Sequence, residues 1–319
     1  MVQKITHDIL MIGPQIDVYI NEIDAKFSNV HKLWQIEDQD RFFKEHGARI
    51  KGLATSGGLG VKREILEKLP NLEIIVSSGV GYDAIDVQYA HGRNIIVTNT
   101  PNVLNDCVAD TGMLLIYAVA RQLVTADYFV RTGQWGKGAY PLTTSLKNKI
   151  CGIVGLGNIG IEVAKRAEAA GMKIAYNTRH DKNIEAYQYV DELGKLAEIS
   201  DFLVLTLPST PETQHIINHE ILSKLGAKGF LINIARGSVV DEQALIEALN
   251  NKTIAGAGLD VFAKEPCTQS DLFAMPNVVL TPHYASGTYE TRKAMGDLAC
   301  ANLYEYFVNG ETLTPVKAA

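Results

Sequence analysis

Three polar residues in the last third of the chain follow short, strand-like apolar runs. Arg236 lies in NIARGSVVDE (Asn233–Glu242), Glu265 in GLDVFAKEP (Gly258–Pro266) and His283 in LTPHYASGTYETR (Leu280–Arg292). A guanidinium grips a carboxylate and its neighbouring carbonyl through two parallel hydrogen bonds. An imidazolium gives a proton to a carbonyl oxygen as that oxygen gains charge. A carboxylate on the other ring nitrogen orients the ring and stabilises its charged form. Together these types suit reduction of a 2-keto acid. Singly, each has a plainer reading: a strand-end arginine often closes a structural ion pair, and a glutamate before proline often marks a turn. Their recurrence at successive strand ends favours the joint role.

The elements that must position them form two alternating series. In the first hundred residues, strands are predicted at Asp8–Ile12, Gly52–Thr55, Glu73–Ser77 and Ile95–Asn99, with a helix at Val61–Leu69. The turn Thr100–Pro101 closes that region, and one long helix is expected from Asp106 to Val124. RTGQWGKGAYPLTT (Arg131–Thr144) reads as an irregular surface excursion. The second series has strands at Cys151–Val154, Lys173–Tyr176, Phe202–Leu205, Phe230–Ile234, Gly256–Val261 and Val278–Thr281. Its helices are expected at Ile159–Ala170, His219–Leu225 and Asp241–Asn250, and a final helix at Thr288–Asn309. Strands alternating with helices imply parallel sheets joined by crossovers. The expected fold is therefore α/β, with two doubly wound parallel-sheet domains. A Rossmann nucleotide-binding domain, residues 101–286, would be inserted in a flavodoxin-like substrate domain built from 1–100 and 287–319.

The second series opens on GIVGLGNIG, in which Gly155, Gly157 and Gly160 have the G-x-G-x-x-G spacing. The first allows a tight turn, the second a close approach of backbone to pyrophosphate, and the third close helix–strand packing. The following helix start favours that negative charge. The next strand ends on Asn177, Thr178 and Arg179, where an NAD-binding unit commonly places an acid for the ribose. Asn177 cannot repel a 2′-phosphate as a carboxylate would. Thr178 could donate a hydrogen bond to that phosphate, and Arg179 could pair with it. NADPH is therefore the expected cofactor, with NADH possible; the plainer alternative for Arg179 is a solvated loop arginine.

Composition bounds the alternatives. With 319 residues, 46% hydrophobic content and 21% charged content, the chain reads as an ordinary two-domain globular protein. A formal charge of −6 gives no basic field for nucleic acid. No apolar run is long enough for a membrane span, and the N-terminus shows no signal-peptide body. Cys107, Cys151, Cys267 and Cys300 lie far apart, so neither a metal site nor a disulfide framework is expected. The balance points to a cytoplasmic protein without nucleic-acid or membrane partners.

Along essentially its whole length the chain resembles the D-isomer-specific 2-hydroxyacid dehydrogenases. The motifs that carry the resemblance are VGLGNIG, LPSTPETQHIIN (Leu207–Asn218), LINIARGSVVDEQAL, GLDVFAKEP and TPHYASGTYETR. The resemblance implies that Arg236 binds substrate, His283 is the general acid/base and Glu265 is its partner. It implies that SSGVGYDAID (Ser77–Asp86) lends the amides of Val80 and Gly81 to the substrate carboxylate, with Ser56 nearby. For the cofactor it implies contacts from Leu156, Asn158 and Ile159 in the glycine loop. Leu207, Pro208 and Thr213 would line the adenosine side, and Asp260 the nicotinamide side. Ile234, Ala235 and Ala285, with His283, complete that expectation.

The N-x-R ending and TRKAMGDLACANLYEYFVNGETLTP look most like the glyoxylate, hydroxypyruvate and hydroxyphenylpyruvate reductase branch, which typically prefers NADPH. The resemblance also suggests a homodimer in which Asp106–Ser145 embraces the partner. Trp135 would then either reach the neighbouring active site or anchor the interface. Many members read His-Ile-Gly-Ser where this chain has His283, Tyr284, Ala285 and Ser286, so Tyr284 would reshape the pocket wall. TSGGLG (Thr55–Gly60) leaves room for a side chain larger than that of glyoxylate. Retention of Glu265 disfavours the formate dehydrogenase branch, and the chain's end at Ala319 disfavours the long phosphoglycerate dehydrogenase type. Two other classes remain as alternatives: a nucleotide-sensing corepressor or scaffold of the same fold, and a non-redox enzyme that retains NAD.

Overall fold

The structure, a computed structural model, describes residues 4–317. Two compact units emerge, one up to Leu104 and from Gly287 onward, the other Asn105–Ser286. The division falls where a helix begins at Asn105, beyond the Thr100–Pro101 turn that reads as the boundary in the sequence.

The first unit contains β1 (Ile5–Met11), α1 (Asp17–Lys26), β2 (Phe27–Lys32), α2 (Gln39–His46), β3 (Ile50–Ser56), α3 (Arg63–Glu67), β4 (Ile74–Ser78), α4 (Val87–Gly92) and β5 (Ile96–Thr98). All its strand pairs are parallel, in the order β2-β1-β3-β4-β5. That is the flavodoxin-like order. Both faces of the sheet are covered. Ile9 and Met11 of β1 join one buried cluster, while Leu10 between them joins another with Phe42, Phe43, Leu66 and Leu69. Two-sided burial is why these strands read as continuous apolar runs.

The last helix of the chain, Tyr289–Asn309, supplies Ala299, Cys300 and Leu303 to the cluster that holds Ile9 and Met11. That helix therefore covers one face of the first sheet. Beyond that helix, the Val316 amide donates to the Val97 carbonyl at 2.8 Å, which ties the tail to β5. Elements α1, β2, α2 and α4 are absent from the sequence-level expectation. Strand β2 is an edge strand with only Phe27 fully buried, so it lacks the apolar run that marks its neighbours.

The second unit runs α5 (Asn105–Ala120), α6 (Leu123–Arg131), β6 (Ile150–Val154), α7 (Asn158–Ala169), β7 (Lys173–Asn177), β8 (Gln188–Tyr189), α8 (Leu193–Ile199), β9 (Phe202–Leu205), α9 (His219–Leu225), β10 (Phe230–Asn233), α10 (Glu242–Asn250), β11 (Gly256–Leu259) and β12 (Val278–Leu280). The final helix of the chain is α11. Seven parallel strands form the order β8-β7-β6-β9-β10-β11-β12, the Rossmann order with one strand added. The expected single helix Asp106–Val124 is two helices bent by 58°. Gln122 takes a left-handed conformation at φ 49, and its side-chain oxygen accepts from the Tyr140 hydroxyl at 3.0 Å. No single helix among the described residues is long and apolar enough to cross a membrane.

Candidate active site

The glycine loop follows β6, and its three glycines differ in what surrounds them. Gly155 has φ +95, and a Cβ there would lie 2.9 Å from the backbone of Leu207. A Cβ on Gly160 would meet the Gly155 carbonyl at 2.5 Å, so α7 can lie this close to the strand only with glycine at that point. Gly157 opens on free space, with nothing within 4 Å of the Cβ position. A dinucleotide pyrophosphate fits that opening at the start of α7, where backbone amides and the helix dipole favour anions. Thr206, unnoticed in the sequence, holds the loop by donating to the Gly155 carbonyl at 2.6 Å. Asn158 is exposed and Ile159 half-buried, whereas the Leu156 side chain turns into the core.

At the end of β7, Asn177 donates through Nδ2 to the carbonyls of Val190 and Asp191, at 2.8 and 3.1 Å. The Thr178 hydroxyl donates to the His180 carbonyl at 2.6 Å, so its proton is already committed. Arg179 is exposed beside them. Its loop is pinned from below by Tyr176, whose hydroxyl donates to Asp181 at 2.5 Å and accepts from the Lys182 amide at 3.0 Å. Glu212, on the loop after β9, lies below the ordinary carboxylate range, through a Thr210 hydrogen bond first and the charge of Arg179 last. Leu207 is buried and Pro208 exposed, and the Thr213 hydroxyl closes their loop by donating to the Pro208 carbonyl at 2.9 Å.

Beyond β10 the chain turns sharply around Asn233. This side chain, 1% exposed, accepts from the Ala235 amide at 3.0 Å and donates to the Arg236 carbonyl at 2.9 Å. Ile234 and Ala235 are buried, so Arg236 is the first residue of the turn to leave the core. Asn233 was invisible as a site residue because an asparagine at a strand end reads as a plain turn former.

Asp260 directly follows β11 as a carboxylate only 1% exposed. Its Oδ1 accepts from the Thr281 hydroxyl at 2.7 Å and the Tyr284 amide at 3.0 Å, and its Oδ2 accepts from the Ala285 amide at 3.0 Å. Burial raises its pKa, and those three hydrogen bonds oppose the rise. The expected nicotinamide-side residue is therefore an anchor for the His283 loop. That loop needs one, because His283 sits at φ +49, unusual for a side chain of its size. The His283 amide also donates to the Asp260 carbonyl at 2.8 Å.

His283 Nδ1 stands 2.5 Å from Glu265 Oε2. The other Glu265 oxygen accepts from the Phe262 amide at 2.9 Å. Burial by itself would raise the Glu265 pKa, but bonds from His283 and Phe262, with the charges of His283 and Arg236, hold it below the ordinary range. An ionised carboxylate only accepts, which assigns the bridging proton to Nδ1 and leaves Nε2 for a reacting group. Arg236, Glu265 and His283 thus gather at the carboxyl edge of one sheet, after β10, β11 and β12, where open α/β sheets bind ligands.

In the first unit, Ser56 ends β3, and Val80 and Gly81 follow β4. The Asn99 side chain donates to the Val80 carbonyl at 2.8 Å, and the Thr100 amide to that of Gly79 at 2.9 Å. Those bonds fix the loop from its carbonyl side.

The family model described as D-isomer specific 2-hydroxyacid dehydrogenase, NAD binding domain, matches residues 113–285. Glyoxylate/hydroxypyruvate reductase A of Arabidopsis thaliana is 43% identical over 97% of this chain and 98% of its own length. A 2-ketogluconate reductase of Gluconobacter oxydans shows the same identity and coverage, 43%, 97% and 98%. Among solved structures, an NADPH-dependent glyoxylate/hydroxypyruvate reductase of Sinorhizobium meliloti, in complex with NADP and malonate, superposes with a TM-score of 0.89. It is 40% identical, covering 97% of this chain and 96% of that one.

Proposed function

The chain belongs to the D-isomer-specific 2-hydroxyacid dehydrogenase family and is an NAD(P)-linked oxidoreductase, and from that premise we propose that it uses NADPH to reduce a small 2-keto acid to the D-2-hydroxy acid. The observation that carries this reading is the Glu265–His283 contact of 2.5 Å at the same sheet edge as Arg236. The nicotinamide cofactor, when bound, supplies the hydride that goes to C2. Arg236 holds the substrate carboxylate and carbonyl. In the first unit, the Val80 and Gly81 amides, with Ser56 beside them, offer a carboxylate site of their own. His283 gives the carbonyl oxygen its proton from Nε2. Glu265 stabilises the imidazolium before transfer and fixes the ring so that Nε2 is the free nitrogen. The charge that grows on the oxygen meets Arg236 and His283 together.

Relatives that act on glyoxylate, hydroxypyruvate and 2-ketogluconate define the substrate class to test. The NADPH preference rests on Arg179, exposed at the end of β7 where no acid follows directly, and on the NADP-bound relative. Absorbance at 340 nm with NADPH or NADH and a panel of glyoxylate, hydroxypyruvate, phenylpyruvate and 2-ketogluconate tests the reading. Nucleotide binding without oxidation by any member of the panel would instead identify a sensor.

A homodimer is part of the same proposal. The segment from α5 to the end of the excursion exposes Leu123, Val124, Tyr128, Val130, Trp135 (69%) and Leu142 (99%). Apolar side chains concentrated in one segment of a surface mark a partner site. Sedimentation of the wild type should show a dimer, and a Val124→Glu, Leu142→Glu double variant a monomer. Four free cysteines, two of them buried, support a cytoplasmic location.

A further inference from the structure

The turn that presents Glu265 is held by a second carboxylate. Glu242, the first residue of α10, accepts from the Ala263 amide through Oε2 at 3.0 Å. The preceding amide, Phe262, donates to Glu265 Oε1 at 2.9 Å. Two consecutive amides are thus taken by two different acids, one of which is the histidine's partner. The same turn is also wedged against the arginine loop. A Cβ on Gly237 would lie 1.8 Å from the Phe262 carbonyl oxygen, so Gly237 and Phe262 touch backbone to backbone. Gly237 follows Arg236 directly, and Glu242 opens α10 at the end of the same connection from β10.

From this juxtaposition we infer that Glu242 is a positioning residue for the Glu265–His283 pair, acting through the Ala263 amide. The inference rests on the proposed role of His283 as proton donor. With Glu242 in place, the Phe262–Ala263 peptide has one orientation, and the Phe262 amide points at Glu265. Without it, the Ala263 amide loses its acceptor and the turn is free to rotate about its contact with Gly237. Glu265 then loses the bond that aims its second oxygen at Nδ1. The charged groups around the imidazole are Glu265 on the ring and Asp260 beneath its backbone, with Arg236 acting on Glu265. Of these, only Glu265 is carried by the turn that Glu242 holds. Loss of Glu242 should therefore resemble a weakened Glu265 and leave the nucleotide loop untouched.

The test is the kcat–pH profile for reduction of hydroxypyruvate at saturating NADPH, in the wild type, Glu242→Ala, Glu242→Gln and Glu265→Gln. An imidazolium that loses its carboxylate neighbour gives up its proton at lower pH. Glu242→Ala should lower kcat by about 10- to 100-fold, the scale of a small misplacement at a reacting centre. Its alkaline limb should move to lower pH in the same direction as that of Glu265→Gln, with KM for NADPH unchanged. Glu242→Gln keeps an acceptor oxygen and should restore both quantities. An alkaline limb in Glu242→Ala that coincides with wild type overturns the inference, as does a Glu242→Gln enzyme as impaired as Glu242→Ala. If Glu242→Ala does not fold, Glu242→Asp carries the same test, since it keeps the charge but withdraws the acceptor by one methylene. A His283→Ala enzyme that still turns over would remove the proton-donor reading and the Glu242 role with it. A dead His283→Ala enzyme beside an unmoved Glu242→Ala profile removes the Glu242 role alone.

Discussion

At the carboxyl ends of β3 and β4 the chain places Ser56, Gly57, Ser78, Gly79, Val80 and Gly81, whereas after β10, β11 and β12 it places Arg236, Asp260, Glu265 and His283. Both edges belong to parallel sheets wound by the same rules, yet they are furnished in opposite ways. The first edge offers backbone, and its shape depends on side chains that are missing. A Cβ on Gly57 would lie 2.8 Å from the Gly81 carbonyl oxygen, so the two turns close on each other this tightly only with glycine at position 57. The second edge offers charge, and each charged group is held by a buried or backbone partner: the Arg236 guanidinium by the Ala235 carbonyl at 2.7 Å, the His283 loop by Asp260, and Glu265 by the Phe262 amide. Recognition of an anion by amides needs a fixed backbone, while proton transfer needs a side chain with a chosen pKa and orientation. Adding an atom should harm the first edge, and deleting one should harm the second.

The contrast breaks most sharply at His283. Replacing His283 by Ala should lower kcat by roughly 100- to 10,000-fold, the range for general acid catalysis, with NADPH affinity retained. A near-normal kcat would deny the second edge its proton chemistry. Gly57→Ala comes next. It should reduce kcat/KM for the keto acid by about 10- to 100-fold by displacing the Gly81 turn, while the dissociation constant for NADPH stays put. Equal damage to cofactor binding would mean that the first edge is not a substrate edge.

Arg179→Ala sharpens the comparison within the second unit, because this side chain follows β7, three strands away from β10 along the same carboxyl edge. NADPH binding should weaken by about 1–3 kcal/mol, the range for hydrogen bonds to charged groups, and NADH binding should be spared. If titrations show both cofactors weakened alike, Arg179 does not read the 2′-phosphate.

The smallest effect concerns stability against pH. Glu265 has a folded pKa below its ordinary 4.5, so its contribution is present above that value and disappears as pH falls through the lower folded value. Denaturant midpoints of Glu265→Gln should therefore fall less steeply than wild type as pH drops below 4.5. Parallel curves would mean that the pair with His283 adds nothing to folding.

Much of this was readable because it involves residues whose type is forced locally. Gly155 and Gly160 must be glycine to pass Leu207 and the strand, so their spacing appears in the sequence itself. The twice-buried strands show as apolar runs for the same reason. Strand β2 escaped because its edge position leaves most of it half-exposed, and the break between α5 and α6 escaped because Gln122, unlike glycine or proline, does not advertise a left-handed residue. Asn177 and Thr178 were legible as a missing acid, but their bonds to Val190, Asp191 and His180 carbonyls were not. Those acceptors come from chain that only folding brings alongside.

From its residues alone this protein declared all of its strands but β2 and β8, its nucleotide loop and the trio of Arg236, Glu265 and His283. Periodicity and forced glycines are local properties, and local properties are written in order. Folding alone decided which groups hold that trio: Asn233 and Asp260 from inside the core, and Glu242 from the neighbouring helix start. A carboxylate or an amide becomes an anchor only when a distant backbone N–H or C=O arrives within hydrogen-bond reach, and no spacing along a strand or helix encodes that arrival.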